Sequence, residues 1–352
     1  QREAIAASSE NQCIVITGGP GVGKTTIVRA LVELFDDAGH RIELAAPTGR
    51  AAKRLSESTG RGAQTLHRLL EFQPRSGGFE RGMENPIEAD LLIVDEFSMV
   101  DIKLFRALVR AILPGTRLIM VGDVDQLPSV GPGAVLGDLI RSGAPKVVEL
   151  TEIFRQAASS AIITNAHRVN RGELPELRAP AGKDPERSDF YFIEREDPIA
   201  AQDTLVELVC KRVPERFGFD PLHDVQVLTP MHRGELGTTA INLRLQTALA
   251  DGAGDDNKGI TRGKRTFRVG DKVMQIRNDY DRDVFNGDVG IVREVDRGEL
   301  SMSVELLDGR IVEYEQQRLD DLVHAFAISV HKSQGSEYPC VILPLVTQHY
   351  MM

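Results

Sequence analysis

Residues 18–26 read GGPGVGKTT, and no other stretch restricts the fold as strongly. From Gly18 to Thr25 the run fits G-x-x-x-x-G-K-[ST]. Before it stands CIVITG (13–18), an apolar, partly β-branched run that reads as a buried strand. After it, TTIVRALVELFDDAG (25–39) has helical periodicity and a stop at Gly39. Strand, glycine loop and helix in that order make a phosphate cradle. Glycines let the backbone close around phosphate, while amide N–H groups and the helix N-terminus favour its charge. Gly19, Pro20, Gly21, Val22, Gly23, Lys24, Thr25 and Thr26 are the expected nucleotide contacts. Lys24 is expected at the β- and γ-phosphates and Thr25 on Mg²⁺, so the expected cofactors are ATP and Mg²⁺.

Three further strand-then-polar runs suit the same site. LLIVDEFSM (91–99) is a short apolar strand ending in two acids. Asp95 is expected on the metal, and Glu96 is expected to orient and deprotonate the attacking water. That pair favours hydrolysis over passive binding. RLIMVGD (117–123) leads into GDVDQLPSV (122–130), where Gln126 reads as a γ-phosphate sensor or as a polar loop cap. RIELAA (41–46) leads into Pro47, Thr48, Arg50 and Lys53. Small hydroxyls and cations at a sheet edge suit nucleic-acid phosphates; a solvated helix face is the other reading of Arg50 and Lys53.

The chain of 352 residues is long enough for two or three domains, and 41% hydrophobic content suits folded cores. No run is apolar enough to cross a bilayer, and no signal peptide is evident. Cys13, Cys210 and Cys340 lack metal-ligand spacing, which fits a reducing, cytoplasmic setting. A net charge of −10 argues mildly against bulk nucleic-acid attraction but allows a basic groove. Aromatics are 5% with no Trp, so a backbone grip on nucleic acid is expected rather than base stacking. The start at Gln1, without Met, suggests a piece of a longer protein.

The second half has no second phosphate loop. VVEL (147–150), VQVLTP (225–230), AFAISV (325–330) and CVILPL (340–345) read as its strands, the last two as buried ones, with a helix from about Thr238. FQPRSGGFERG (72–82) reads as a hairpin. Residues 250–318 look all-β, with strands at 272–278, 289–295, 301–307 and 310–315, after a mobile linker at 251–259.

In this order the motifs resemble a superfamily 1B DNA helicase of the RecD-like branch. QREAI, APTGRAAKRL, TLHRLL, DEFSM, GDVDQLPSV, LTEIFRQ (150–156), LTPMHRGELGTTAIN (228–242) and FAISVHKSQGSE (326–337) carry the match over nearly the whole chain. The resemblance implies an α/β fold of two RecA-like P-loop NTPase domains, parallel sheets with flanking helices. It adds a β-hairpin insertion and a small SH3-like β-barrel. The implied domains are 1–150 (hairpin at about 71–86), 151–249 with 319–352, and 250–318.

The resemblance also implies ATP-driven movement 5′ to 3′ on single-stranded DNA, with duplex unwinding at a single-strand/duplex junction. Gln1 then recognises adenine, Arg155 points at the γ-phosphate, and Gly335 and Glu337 lie toward the nucleotide. Pro47, Thr48, Arg50, Thr65, His67, His232, Ser329, His331 and Ser333 lie toward DNA. Local readings stay open beside these: Arg155 as a surface ion-pair residue, Thr65 and His67 as capping or core residues, the hairpin as a duplex-splitting pin or a surface ornament. The barrel guides the strand or binds a protein partner, as would a preceding N-terminal region. A monomer is the expected state. In the family a further arginine motif follows, and VTQHYMM (346–352) stops short of it, which implies weak hydrolysis by this length alone. A non-unwinding, nucleotide-controlled DNA-binding module and a P-loop ATPase acting on protein are the competing functions.

Overall fold

The computed structural model describes residues 1–73, 76–152, 160–177, 188–250, 259–279 and 282–346. The chain divides into two compact units, Gln1–Ile193 and Glu194–Met352.

The first unit is built on β1 (Cys13–Gly18), β2 (Ile42–Ala46), β3 (Gln64–Thr65), β6 (Leu91–Val94), β7 (Arg117–Gly122) and β8 (Lys146–Leu150). They form one parallel sheet in the order β3-β2-β6-β7-β1-β8. Helices α1 (Arg2–Glu10), α2 (Lys24–Asp37), α3 (Gly49–Thr59), α4 (Leu66–Leu69), α5 (Ile102–Ala111), α6 (Val135–Ser142) and α7 (Ala161–Asn170) accompany the sheet. Successive strand residues point to opposite faces, and both faces are covered, so the strands are apolar throughout. Ile14, Ile16, Leu44, Ile93 and Ile119 pack with Ile27, Leu31 and Phe35 of α2 and Leu55 of α3. Val15, Leu92, Val94 and Met120 pack on the other face with Leu104 and Leu108 of α5 and Leu136 of α6. Each such side chain contributes roughly 1.5–3 kcal/mol by leaving water.

Strand order decides what meets at the carboxyl edge. β6, β7 and β1 are neighbours, with Val94 beside Met120 and Thr17 beside Gly122. The glycine loop, the acid pair and the 122–130 loop therefore leave the sheet side by side. VVEL is a correction: it is β8, hydrogen-bonded to β1 in the first sheet, and not a strand of the second half. Helix α7 also falls within the first compact unit.

The expected hairpin is present as β4 (Phe72–Gln73) and β5 (Gly78–Phe79), antiparallel and directly after α4. Its two facing phenyl rings lie 5.3 Å apart, and His67 of α4 stands 5.5 Å from Phe72 and 5.8 Å from Phe79.

In the second unit β9 (Val225–Thr229) lies between β17 (Ala327–Ser329) and β18 (Cys340–Ile342), all parallel. Helix α8 (Pro198–Glu207), a π turn (Leu208–Arg212), α9 (Val213–Phe217) and α10 (Thr238–Ala250) accompany them. Leu205, Val209, Val227, Ile241, Leu245 and Ala327 make the core. CVILPL is not the buried strand expected: Val341, Leu343 and Leu345 are exposed among the described residues.

Between α10 and β17 lies the all-β segment. β10 (Ile260–Arg262) and β11 (Arg265–Phe267) form a hairpin. β12 (Lys272–Gln275), β13 (Val289–Asp296), β14 (Ser301–Leu306), β15 (Ile311–Tyr314) and β16 (Leu322–His324) form an antiparallel sheet in the order β15-β14-β13-β12-β16. β16 lies beyond 318, where the barrel was expected to end. The expected linker lies outside the described residues save Gly259, and so does the tail after Val346.

Polar groups buried at the foot of this sheet join it to the parallel strands. Asp271 is buried, and its Oδ2 accepts from Gln246 Nε2 of α10 at 2.7 Å and from the Arg268 amide at 2.8 Å. His324 Nε2 lies 3.2 Å from the same oxygen. Lys272 is fully buried, and its Nζ donates to the Val225 carbonyl of β9 at 2.9 Å.

Candidate nucleotide and nucleic-acid site

The glycine loop has the backbone its sequence demands. Gly21 and Gly23 sit at φ 74° and 84°, in the left-handed region that favours glycine. Gly18 is needed for another reason: a Cβ there would stand 2.6 Å from the Leu150 carbonyl oxygen. Gly23 caps α2 without a side-chain acceptor, so the first-turn amides stay open to an anion. Thr25 and Thr26 are exposed at that turn, as are Pro20 and Gly21, whereas Val22 is buried. Lys24 Nζ donates to the carbonyl oxygens of Gly18 at 2.6 Å and Gly19 at 3.0 Å.

Asp95 and Glu96 leave β6 beside this loop. Asp95 Oδ1 accepts from the Glu96 amide at 2.8 Å. Glu96 holds φ 50°, ψ 40°, a left-handed conformation that costs a non-glycine residue of order 1–3 kcal/mol. Burial raises both carboxyl pKa values; Asp95 further raises that of Glu96, and Lys24 and Arg54 pull both down. Asp123, buried at the end of β7, also acts on Glu96. One electrostatic set thus contains Lys24, Arg54, Asp95, Glu96 and Asp123. Its members come from four segments far apart in sequence.

Asp123 shapes the next loop by accepting from the Asp125 amide at 3.0 Å. Gln126 is exposed in it. Thr17 Oγ1 and Ser98 Oγ, at the ends of β1 and just past β6, are buried with no hydrogen-bond partner among the described residues. Gln1 is exposed at the N-cap of α1, without a side-chain cap bond. Arg155 lies outside the described residues.

The expected DNA residues do local structural work. Thr48 caps α3 by accepting from Ala51 at 3.2 Å, and Thr65 caps α4 by accepting from Arg68 at 3.2 Å. Ser329 caps the 3₁₀ turn Val330–Ser333 by accepting from Lys332 at 3.4 Å. In each cap the hydroxyl accepts, which leaves its proton for an outside acceptor. Ser333 differs: its hydroxyl donates to Val330 O at 2.7 Å. Pro47 and Arg50 are half-buried and His331 is exposed. His232 Nδ1 is 3.1 Å from Thr238 Oγ1. Gly335 takes φ 70° and Glu337 is exposed.

Sequence reasoning missed Arg54, although it stands four residues after Arg50 on one helix face. It also missed Lys332, whose Nζ donates to Asn286 Oδ1 at 2.8 Å and so ties 331–335 to the β12–β13 loop. No local signal pointed to that partner. Among the described residues no three His, Cys, Asp or Glu side chains gather as a metal cage, and no helix is long and apolar enough to cross a membrane.

Family models match three stretches: an AAA domain over residues 1–132, the SH3 domain of ATP-dependent RecD-like DNA helicases over 241–306, and a UvrD-like helicase C-terminal domain over 324–352. The chain is 39% identical over 97% of its length to the ATP-dependent RecD2 DNA helicase of Deinococcus radiodurans. It is 32% identical over 96% of its length to the RecBCD enzyme subunit RecD of Mycolicibacterium smegmatis. It spans 44% and 64% of those relatives' own lengths. Among solved structures, Pif1 helicase from Candida albicans matches with TM-score 0.55 at 22% identity, over 97% of this chain and 87% of that one. Bacteroides Pif1 bound to single-stranded DNA matches with TM-score 0.53 at 20% identity, over 97% and 84%. Those two likenesses speak to the fold alone. In motif order and in sequence the chain is similar to RecD-like DNA helicases over nearly its whole length.

Proposed function

We propose that this chain is the motor core of an ATP-dependent helicase that moves 5′ to 3′ on single-stranded DNA and opens duplex ahead of it. The carrying observation is the convergence of Lys24, Asp95, Glu96 and Asp123 at one edge of a parallel sheet, beside open helix amides. Similarity to the RecD2 helicase supports the same reading.

Gly19–Thr26 hold the phosphates, and Lys24 exchanges its loop carbonyls for the β- and γ-phosphates. Thr25 and Asp95 are hard oxygen donors that fit Mg²⁺, which commonly uses one or two carboxylates plus phosphate oxygens and water. Bound there, the ion would screen charge on the phosphates. Burial and the neighbouring Asp95 give Glu96 a stronger affinity for a proton, which suits a base for water. Gln126 senses the γ-phosphate, Gln1 reads adenine, and Arg155, Gly335 and Glu337 complete the nucleotide contacts. The hydroxyls of Thr48, Thr65 and Ser329, with Pro47, Arg50, His67, His232, His331 and Ser333, hold the DNA backbone. The proposed working domains are a nucleotide domain, a second domain and an inserted SH3-like part, with the first extended to Ile193 and the inserted part to His324. The hairpin after α4 is the pin at the junction, and the SH3-like part guides the strand or docks a protein.

The test is strand separation on 5′-tailed and 3′-tailed duplexes, with ATPase measured with and without single-stranded DNA, on the full-length protein. Opening of the 5′-tailed substrate with DNA-stimulated ATPase is expected. Opening from a 3′ tail alone overturns the direction. ATPase indifferent to DNA overturns the motor reading.

A further inference from the structure

Helix α7 lies over the nucleotide loop, and none of the roles above uses it. Its register is held on several sides. Ser160 caps it by accepting from Ile163 at 3.2 Å, and the Asp189 carboxylate accepts from the Ala161 amide at 2.8 Å. Asn165 is buried and clasps Glu176 twice: Nδ2 donates to Glu176 O at 3.1 Å, and Oδ1 accepts the Glu176 amide at 2.7 Å. A helix held this way presents fixed side chains to its neighbours.

Two of them reach two different nucleotide-site loops. The His167 ring lies on Gly19: a Cβ built there would stand 2.8 Å from His167 Cε1. Three residues on, Asn170 Nδ2 donates to Asp125 Oδ2 at 2.6 Å, in the loop that carries Gln126. Residues three apart share a helix face, so both contacts follow from one helix orientation. His167 Nε2 is buried and has no hydrogen-bond partner among the described residues. A buried ring nitrogen without a partner is costly unless a ligand supplies one.

We propose that His167 is a nucleotide contact. Its Nε2–H donates to a phosphate oxygen of a nucleoside di- or triphosphate seated on the glycine loop, and α7 thereby reads whether that phosphate is present. The inference rests on the nucleotide reading of the loop. It also gives Gly19 a specific reason to be glycine: its φ is ordinary, and the missing Cβ makes room for the imidazole.

The test compares His167→Ala, His167→Gln and His167→Asn in the full-length protein, reading the Kd of fluorescent ADP with Mg²⁺ alongside thermal unfolding. A Gln amide nitrogen reaches the position of imidazole Nε2, whereas an Asn amide reaches only that of Nδ1. The expected result is Kd raised about ten- to hundredfold in the Ala and Asn variants, with Gln within about threefold of the parent. A purely packing role predicts equal losses for Gln and Asn, and that outcome overturns the proposal even if Ala fails to fold. Parent-like ADP affinity in His167→Ala overturns it too. A parent that binds no ADP at all overturns the nucleotide reading and this inference together.

Discussion

Lys24 Nζ stands 2.6 Å from the carbonyl oxygen of Gly18, so the cation of the nucleotide loop is folded back on the loop itself. Nucleotide binding must replace those carbonyl bonds with phosphate bonds, which are charge-assisted and about twice as strong. Lys24→Ala is expected to abolish hydrolysis and weaken ADP binding by about two orders of magnitude or more. The nucleotide-free fold should lose only about 0.5–1.5 kcal/mol, because the lysine bonds are partly solvated. Calorimetric ADP titration and chemical denaturation check the two halves. Parent-like ADP affinity in the variant would remove Lys24 from the site.

Glu96 occupies left-handed backbone at the end of a buried strand, where its carboxylate faces the charge of Asp95 and Asp123. Glu96→Gln keeps the shape and removes the base. ATP binding is expected to stay within about threefold, while turnover falls about 10²–10⁴-fold, the usual share of a general base. Rapid-quench measurement of a single turnover separates chemistry from product release. Turnover at the parent rate would assign the base elsewhere.

His67 packs against both phenyl rings at the root of the hairpin, and burial holds its pKa below the ordinary 6.5, partly offset by Asp101. The unfolded chain therefore takes up this proton at a higher pH than the folded one. The stability contributed is complete above about 6.5 and is lost as pH falls through the lowered folded value. His67→Phe keeps a ring but cannot charge, so its thermal stability should fall less between pH 7 and pH 5. Equal slopes for variant and parent would contradict the assignment.

The same contact makes a functional prediction. His67→Ala removes aromatic packing of about 0.5–1.5 kcal/mol per ring pair from the base of the hairpin. Duplex opening is expected to slow several-fold relative to DNA-stimulated ATPase, with His67→Phe restoring the ratio only in part, because Phe keeps the packing and loses the imidazole's hold on DNA. If Phe behaves as Ala does, the ring contact is not what matters, and a direct DNA contact of the imidazole is favoured.

Asp271 anchors the antiparallel sheet to α10 through Gln246, with His324 of β16 3.2 Å from the same oxygen. Asp271→Ala removes the acceptor of the Arg268 N–H and one of the two acceptors of the Gln246 amide, which keeps the Thr266 carbonyl at 2.8 Å. The expected cost is about 2–4 kcal/mol, from an unpaired donor and a lost charged bond. Urea unfolding of the parent and variant measures it. A change under about 0.5 kcal/mol, the usual range for surface substitutions, would mean that water or a rearranged side chain satisfies those donors.

The amino-acid order alone determined a good deal. Gly18–Thr25 between an apolar run and a periodic helix specified the nucleotide loop, because that backbone needs glycine where φ is positive and an open helix turn behind it. The acid pair after LLIV was legible for equally local reasons. The tertiary structure decided what local pattern cannot carry. VVEL has the same apolar character as any buried strand, and only its hydrogen bonding to β1 put it in the first sheet. Arg54 joined the acids, His167 met Gly19 and Lys332 met Asn286 across long stretches of sequence. The hydroxyls of Thr48, Thr65 and Ser329 are helix-turn caps first, with only their protons left to donate. Local pattern sets backbone conformation and which face is buried; chain crossings between strands set which distant side chains become neighbours, and no short window of sequence contains that information.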